Sequence, residues 1–316
     1  MQAAKHRWLW NGVFMGVVLM LAGGIYWSTQ SIDYHWRWER VLPYIVDTSP
    51  ESIRAPFDGQ AELGDDGRTL TLVSDHGDAP LVLDKFSTLL VADGDLLFEG
   101  DEVARIDSLR AGPILHGMVM TLQLSLVSLL CSVLLGLGLG LGRLSANPAL
   151  RKLCILYIEI IRGTPLLVQI FIIYFFVGTV LSLDRFTAGA TALTLFSAAY
   201  VAEIIRAGIQ AVPVGQMEAA RSLGMSYVRA MVEVVLPQAL RRSLPALAGQ
   251  FINLIKDSSL VSVISLTDLT KAGREVVSST FAPFEVWFTV ALLYLVMTAS
   301  LSWLVQRLEQ RLAAGH

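Results

Sequence analysis

Charged residues are scarce in this chain of 316 residues: only 16 % are Asp, Glu, Lys or Arg, whereas 54 % are hydrophobic. Such a composition excludes an ordinary soluble protein of this size and indicates a membrane protein. Cysteine is also scarce. Because Cys131 and Cys154 both fall in or beside apolar stretches, a disulfide framework is excluded, and the two side chains are interpreted as small apolar fillers.

Two signatures of catalysis are missing from the sequence. It contains no Gly-Lys dipeptide, so it has no phosphate-binding loop of the form G-x-x-x-x-G-K-[ST] and does not hydrolyse ATP by that route. H-E-x-x-H is absent, and the five histidines show no metal-ligand spacing. We therefore predict a non-catalytic chain with no metal, no cofactor of its own and no nucleic-acid partner.

Apolar stretches of membrane-spanning length recur along the chain. A helix needs about 20 predominantly apolar residues to cross a bilayer, and six stretches meet this length. They predict six transmembrane helices at residues 8–27, 114–141, 153–183, 187–211, 243–266 and 286–305.

The net charge of −3 conceals a strong asymmetry. Residues 28–112 carry 7 Lys or Arg against 17 Asp or Glu, a difference of −10, and the rest of the chain carries 17 against 10, a difference of +7. Because positive charge favours the cytoplasmic side, both termini are predicted inside and residues 28–112 outside. The apolar run after Lys5 and Arg7 lacks a clear A-x-A site, so we expect an uncleaved anchor.

Three parts follow from this pattern: an anchor helix at 1–30, an acidic outside insertion at 31–110, and a five-helix core at 111–312. The predicted fold class is an all-α polytopic membrane protein with a small β-rich insertion. Alternating apolar residues in the insertion predict short strands, and hairpin-type turns are expected at Asp58-Gly59, Asp66-Gly67 and Asp93-Gly94. Its carboxylates lack the spacing of a calcium loop.

A short polar segment between two apolar stretches is the most informative motif. Its spacing is Glu218-Ala219-Ala220, three residues, Gly224, and then Leu236-Pro237. Pro213 suits a helix start and Gly224 a helix end, which predicts a helix over 214–223. The two alanines give a small-residue face that another protein can approach closely, Glu218 and Arg221 add charge, and Ser226 is predicted to cap the next helix.

This segment resembles the cytoplasmic EAA loop of type I ABC importer permeases. The core also resembles the polar amino-acid subfamily of these permeases at residues 117–122, 157–169, 199–209, 215–220, 236–241 and 256–261. The anchor helix and the insertion depart from that pattern.

The resemblance implies a permease subunit of an ATP-driven importer of polar or charged amino acids in the bacterial inner membrane. It implies partners too: an ABC ATPase dimer that uses ATP and Mg, a second permease, identical or paralogous, and an extracytoplasmic binding protein. The loop at 212–237 would then dock the ATPase through Glu218, Ala219, Ala220, Arg221, Gly224, Leu236 and Pro237. The alternative is a membrane-anchored sensor or scaffold whose active part is the insertion.

Ionisable groups within the predicted spans are expensive to bury, so they point to ion pairs or to an aqueous path. Glu159 with Arg162, and Glu203 with Arg206, are spaced i and i+3 on their helices. We interpret both as gate or interface ion pairs, with substrate contact as the alternative.

Two further segments are candidates for the translocation pathway. Residues 162–165, Arg162-Gly163-Thr164-Pro165, interrupt a span and either line a cavity or form a simple kink. The second segment is a polar stripe that suits a zwitterion, or a polar cap at a helix end. Its residues are Gln250, Asn253, Lys256 and Asp257.

Alternating glycines mark the first core helix. They form two G-x-x-x-G faces, Gly136 with Gly140 and Gly138 with Gly142, that allow close packing against a neighbouring helix or a second subunit.

Overall fold

A computed structural model describes residues 2–64 and 69–313 of the chain. Helices dominate it. In chain order the α-helices are α1 (Gln2–Ser31), α2 (Leu42–Ile45), α3 (Pro113–Arg143), α4 (Pro148–Gly163), α5 (Leu166–Phe171), α6 (Thr179–Leu181), α7 (Arg185–Gln210), α8 (Val214–Ser222), α9 (Tyr227–Ala230), α10 (Leu236–Asp257), α11 (Leu269–Thr280) and α12 (Pro283–Ala313). Two π-helical segments (Ile172–Gly178, Met231–Val235) and two 3-10 segments (Trp38–Arg40, Ser258–Ile264) complete the set.

Four helices in the described residues are long and apolar enough to cross a membrane, or five if a bent pair counts as one span. The bent pair is Pro148–Gly163 with Leu166–Leu181, and the four straight spans are Trp10–Ser31, Pro113–Arg143, Arg185–Gln210 and Pro283–Arg307. The sixth predicted span, 243–266, falls on α10 and the following 3-10 segment. Helix α10 does not join that group, because it carries Arg241 and Arg242 in its first half as well as Lys256 and Asp257 at its end, and a count of six stays a prediction.

The predicted interruption at residues 162–165 is confirmed as a sharp bend. The two halves of the pair meet at 107°. Pro165 has no N–H to donate and disfavours helical geometry in the residue before it, and Thr164 accordingly has extended dihedral angles.

Nine short strands lie between α2 and α3 in the part of the chain that the structure describes. They form a two-stranded sheet of order β1-β9, a three-stranded sheet of order β2-β8-β6 and a four-stranded sheet of order β5-β4-β3-β7, with every pairing antiparallel. The strands are β1 (Val46–Asp47), β2 (Glu51–Arg54), β3 (Gly59–Leu63), β4 (Leu70–Ser74), β5 (Leu81–Leu83), β6 (Thr88–Leu89), β7 (Leu96–Leu97), β8 (Glu102–Ile106) and β9 (Arg110–Ala111).

The hairpin prediction at two Asp-Gly dipeptides is wrong. The strands on either side of Asp58-Gly59, and those on either side of Asp93-Gly94, belong to different sheets, so both dipeptides mark crossings between the sheets. Gly59 is required there because a Cβ atom would lie 1.9 Å from the carbonyl oxygen of Val73. The third dipeptide, Asp66-Gly67, lies outside the described residues.

The two larger sheets of the insertion share one apolar core. Buried side chains from strands of both sheets meet in it, and alternate residues of β3 and β4 point inward as expected for half-buried strands. The core is formed by Ala55, Ala61, Leu70, Leu72, Leu97 and Val103.

Helices α3 and α7 pack closely over a glycine face. At Gly136 an added Cβ atom would lie 2.6 Å from Val201 Cγ1, and at Gly140 it would lie 2.9 Å from the carbonyl oxygen of Ala202. The face formed by Gly136 and Gly140 therefore packs against a neighbouring helix of the same chain. Gly142 contacts Cys154 of α4 instead, and Gly138 faces open space.

Candidate coupling segment and translocation path

The candidate coupling segment is built on α8. Its helix, Val214–Ser222, agrees within one residue with the range expected from Pro213 and Gly224. The helix ends because Gly224 adopts a φ of +86°, and the N–H groups of Gly224 and Met225 donate to the carbonyls of Arg221 and Ala220.

One face of α8 is open. Glu218 and Ala219 are exposed, and Leu223 just beyond the helix is 84 % exposed. Ala220 is buried against the chain itself, so only one of the two alanines lies on an accessible face. The accessible face therefore combines a carboxylate, a small residue and an apolar tip.

The first turn of α8 is hydrogen-bonded to α10, and α10 is also bonded to the end of α7. Gln238 of α10 donates to Gln216 of α8 at 3.1 Å, and the Arg242 guanidinium donates to the carbonyl of Ala211. The Ser226 hydroxyl accepts from the Arg229 N–H at 3.3 Å, which confirms the predicted cap of α9. A force on α8 would thus reach both α7 and α10.

The π-helical segment Met231–Val235 follows α9 and leads directly into α10 at Leu236 and Pro237. The helical backbone is continuous there, since the Leu236 N–H donates to the carbonyl of Met231, and Pro237 lies where the hydrogen-bond pattern changes from π to α. Leu236 and Pro237 therefore lie at the start of α10, with Pro237 exposed, and their docking role stays a prediction.

Glu203 is the centre of an ion network near the end of α7. Arg206 Nη2 donates to its Oε1 at 2.6 Å, and the guanidinium of Arg143, at the end of α3, contacts the other oxygen. The expected pairing of Glu203 with Arg206 is present, and its role as a gate stays a prediction. The contribution of Arg143 was not foreseen, because it comes from 60 residues away in the sequence.

The expected pair of Glu159 and Arg162 is not formed. In the described part of the chain no ion pair joins them, and Arg162 instead lies over the ring of Tyr200, 5.3 Å from its centroid. A cation over an aromatic face is stabilised by the quadrupole of the ring. Both Glu159 and Arg162 are exposed on this chain.

Gln169 bridges the bend that follows Arg162. Its Nε2 donates to the carbonyl of Ile161 at 2.7 Å and to the Thr164 hydroxyl at 2.8 Å, so it satisfies groups that the break leaves unpaired. Its Oε1 is buried and has no hydrogen-bond partner among the residues described. Gly163 and Pro165 are exposed at the same bend.

The predicted stripe on α10 is divided between two environments. Gln250 is buried and donates to the Ser197 hydroxyl at 3.4 Å, whereas Asn253 and Lys256 are exposed. Asp257 is the last residue of α10, which fits the polar-cap alternative as well as the pathway. No group of His, Cys, Asp or Glu that would hold a metal ion occurs within residues 2–64 and 69–313.

Comparison with known proteins assigns the class. Residues 132–314 match the family of the binding-protein-dependent transport system inner membrane component, and the chain belongs to this family. It is a multi-pass inner-membrane protein of an ABC transporter that works with an ATPase and a binding protein.

Two relatives show the closeness of the match. The chain is 44 % identical to a probable glutamine ABC transporter permease, GlnM, of Bacillus subtilis over 64 % of this chain and 94 % of the relative. It is 38 % identical to the glutamine transport system permease GlnP of Escherichia coli over 63 % and 92 %. Both are transport permeases, so the alternative of a sensor or scaffold gains no support.

Two solved structures resemble the chain. A crystal structure of an amino acid ABC transporter with histidines is 45 % identical, with a TM-score of 0.59 over 63 % of this chain and 94 % of that one. The MetNI methionine ABC transporter in an inward-facing conformation is 21 % identical with a TM-score of 0.57, and it shows the fold alone.

Proposed function

We propose that this chain forms half of the translocation pathway of an importer of polar or charged amino acids and that α8 is the element through which a separate ATPase drives it. The substrate class rests on the two relatives, whose names specify glutamine, and on the structure of an amino acid transporter that shares 45 % identity. A second permease, either a second copy or a paralogue, completes the pathway.

The hydrogen bond from α10 to α8, together with the bond from α10 to the end of α7, is the observation that carries the coupling role. Gln216 is hydrogen-bonded to Gln238 of α10, and the carbonyl at the end of α7 is bonded to Arg242. Gly208 of α7 lies so close to α10 that an added Cβ atom would be 2.0 Å from Ser243 Oγ. When the ATPase binds ATP and Mg and closes, α8 would move together with α7 and α10 and change access to the pathway.

The side-chain arrangement suggests where the pathway runs. Arg162 of α4 lies over Tyr200 of α7, and Arg143 of α3 and Arg206 of α7 flank Glu203, so these helices carry three arginines against Glu203 and the exposed Glu159. An excess of positive charge within a membrane protein must face an aqueous path or another subunit. Asn253 and Lys256 are exposed polar groups on α10 and are further candidates for the pathway. In this proposal both termini lie in the cytoplasm and the insertion lies outside.

The test is Gly224→Asp in the complete transporter. A non-glycine residue is strained at a φ of +86°, and the new carboxylate would lie beside the proposed docking face. Gly77→Asp is a matched control because Gly77 has a φ of +84° and equally open surroundings, but it lies in the insertion.

We expect Gly224→Asp to abolish copurification of the ATPase and amino-acid uptake in vesicles, while Gly77→Asp retains both. Normal uptake and normal ATPase copurification by Gly224→Asp, at wild-type expression, would show that α8 is not the coupling element.

A further inference from the structure

A cleft separates the anchor helix from the last helix of the core. It has a volume of about 580 Å³ and lies between the second half of α1 and the first turns of α12. Gly24 and Ile25 line one side, Phe284 and Phe288 line the other, and Trp36 closes one end. Both walls belong to helices of membrane-spanning length and composition.

The anchor helix is held away from the core along most of its length. Only 6 % of its most apolar stretch is buried, compared with 61 % for α7. The chain is fixed to the core just beyond α1, where the Tyr34 hydroxyl and the Arg37 N–H both donate to Glu285. The cleft therefore lies next to the point where the chain beyond α1 is fixed to the core.

The cleft offers nothing to water. Its two hydroxyl side chains are already bonded within α1, Ser28 to the carbonyl of Gly24 and Thr29 to that of Tyr26, each at 2.8 Å. The remaining lining is hydrocarbon and aromatic. A lining with so few polar partners favours a hydrocarbon occupant over ordered water.

The mouth of the cleft has the chemistry of a membrane surface. Trp36 and Trp38 stack there with their ring centroids 5.6 Å apart, and Trp27 lines the cleft itself. Tryptophan is enriched at the level of lipid headgroups. Arg37 and Arg40 are exposed in the same segment and offer cations to a phosphate, although Arg40 also donates to the carbonyl of Thr280 and Glu39 between them is exposed.

The shape of the cleft suits a narrow occupant. It is open on one side, and each wall is a single helix. A hydrocarbon chain can enter from the open side and contact the apolar side chains of both walls.

We propose that this cleft is a phospholipid-binding site in which one acyl chain lies between α1 and α12, with its headgroup phosphate near Arg37 and Arg40. The lipid would complete the packing of an anchor helix that has few protein contacts of its own. This site is separate from the proposed coupling and transport roles.

The first test is lipid retention by the full-length chain, purified with the subunits that copurify and examined by native mass spectrometry. Gly24→Leu places a side chain in the cleft, whereas Gly23→Leu is a matched control one residue away that does not line it. We expect the wild type and Gly23→Leu to retain one phospholipid per chain and Gly24→Leu to show about tenfold lower occupancy. Equal retention by all three proteins, or retention by none, would overturn the proposal.

The second test does not depend on a variant that folds. The wild type is reconstituted in vesicles of phosphatidylethanolamine and phosphatidylglycerol with a trace of phospholipid that carries a diazirine in one acyl chain. After irradiation, we expect labelled peptides to concentrate at residues 20–32 and 284–288. Labelling spread evenly along α1 and α12 would mean that the cleft holds no bound lipid.

Discussion

The hydroxyl of Tyr34 donates a hydrogen bond of 2.5 Å to Oε2 of Glu285, which lies 251 residues away in the sequence and is completely buried. The other carboxylate oxygen, Oε1, accepts from the N–H of Arg37, also at 2.5 Å. One buried carboxylate thereby fixes the start of the insertion to the start of α12.

Replacing Tyr34 by Phe removes one of the two donors and leaves an oxygen of Glu285 unpaired. A buried acceptor without a partner costs about 1–3 kcal/mol. We therefore expect the free energy of local opening of residues 34–45 to fall by that amount. Amide hydrogen exchange of this segment measures the change. Tyr26→Phe is the control, because Tyr26 is exposed on α1. In this variant, residues 34–45 should exchange as they do in the wild type.

The same contact predicts a dependence on high pH. Burial, and then the hydrogen bond to Glu285, raise the pKa of Tyr34 from 10.0 to about 12. Because the folded state favours the protonated phenol, its contribution to stability is complete below about pH 10 and is lost as the pH rises through about 12. When tyrosinate absorbance is followed against pH, Tyr34→Phe should lack one of the groups that titrate near pH 12 in the wild type. Equal absorbance of the two proteins at the high-pH end would contradict this assignment.

The glycine face of α3 predicts opposite effects for two similar substitutions. Gly136→Ala forces a methyl group against Val201 of α7 and should destabilise the chain by about 1–3 kcal/mol. Gly138→Ala meets open space and should be neutral or stabilising by up to about 1 kcal/mol, because alanine favours helices. Thermal unfolding in detergent distinguishes them, and equal melting temperatures would show that α3 and α7 are not so closely packed.

Glu203 balances the charges of Arg143 and Arg206, so its removal should be costly. Glu203→Gln leaves two partly buried guanidinium groups without a counter-ion, and we expect a loss of about 1–3 kcal/mol of stability. The matched substitution is Glu159→Gln, which removes an exposed carboxylate from α4 and should change little. If both variants unfold at the same temperature as the wild type, the network around Glu203 does not hold α3 to α7.

Gly224→Ala separates backbone strain from added charge. Its φ of +86° disfavours a side chain by about 1–2 kcal/mol, whereas Gly215 on the same α8 has ordinary helical geometry and tolerates alanine. We expect faster hydrogen exchange at residues 214–226 in Gly224→Ala alone. Similar exchange in Gly215→Ala would indicate a general sensitivity of the loop instead.

Local signals in the sequence were sufficient for much of the fold. The proline and glycine around α8 set its ends within one residue, and Pro165 marked the bend in the third apolar segment. Both effects act through the backbone of the residue itself or its neighbour, so no knowledge of distant parts of the chain is needed.

Contacts between distant segments were not predictable in the same way. Nothing near Glu285 in the sequence indicates Tyr34, and Arg143 gave no sign that it would join Glu203. The Asp-Gly dipeptides were misleading for a related reason. A turn that changes direction within one sheet and a turn that crosses to another have the same local sequence, and only the strand pairing distinguishes them.

The pairing of Val46 with Ala111 joins the first and last strands of the insertion, so the chain leaves the core and returns to it at one point. The polypeptide between them therefore begins and ends at two adjacent strands. A single splice at that point could remove or exchange the whole module without rerouting any transmembrane helix, which offers a simple route by which a standard permease core acquires or loses an inserted domain.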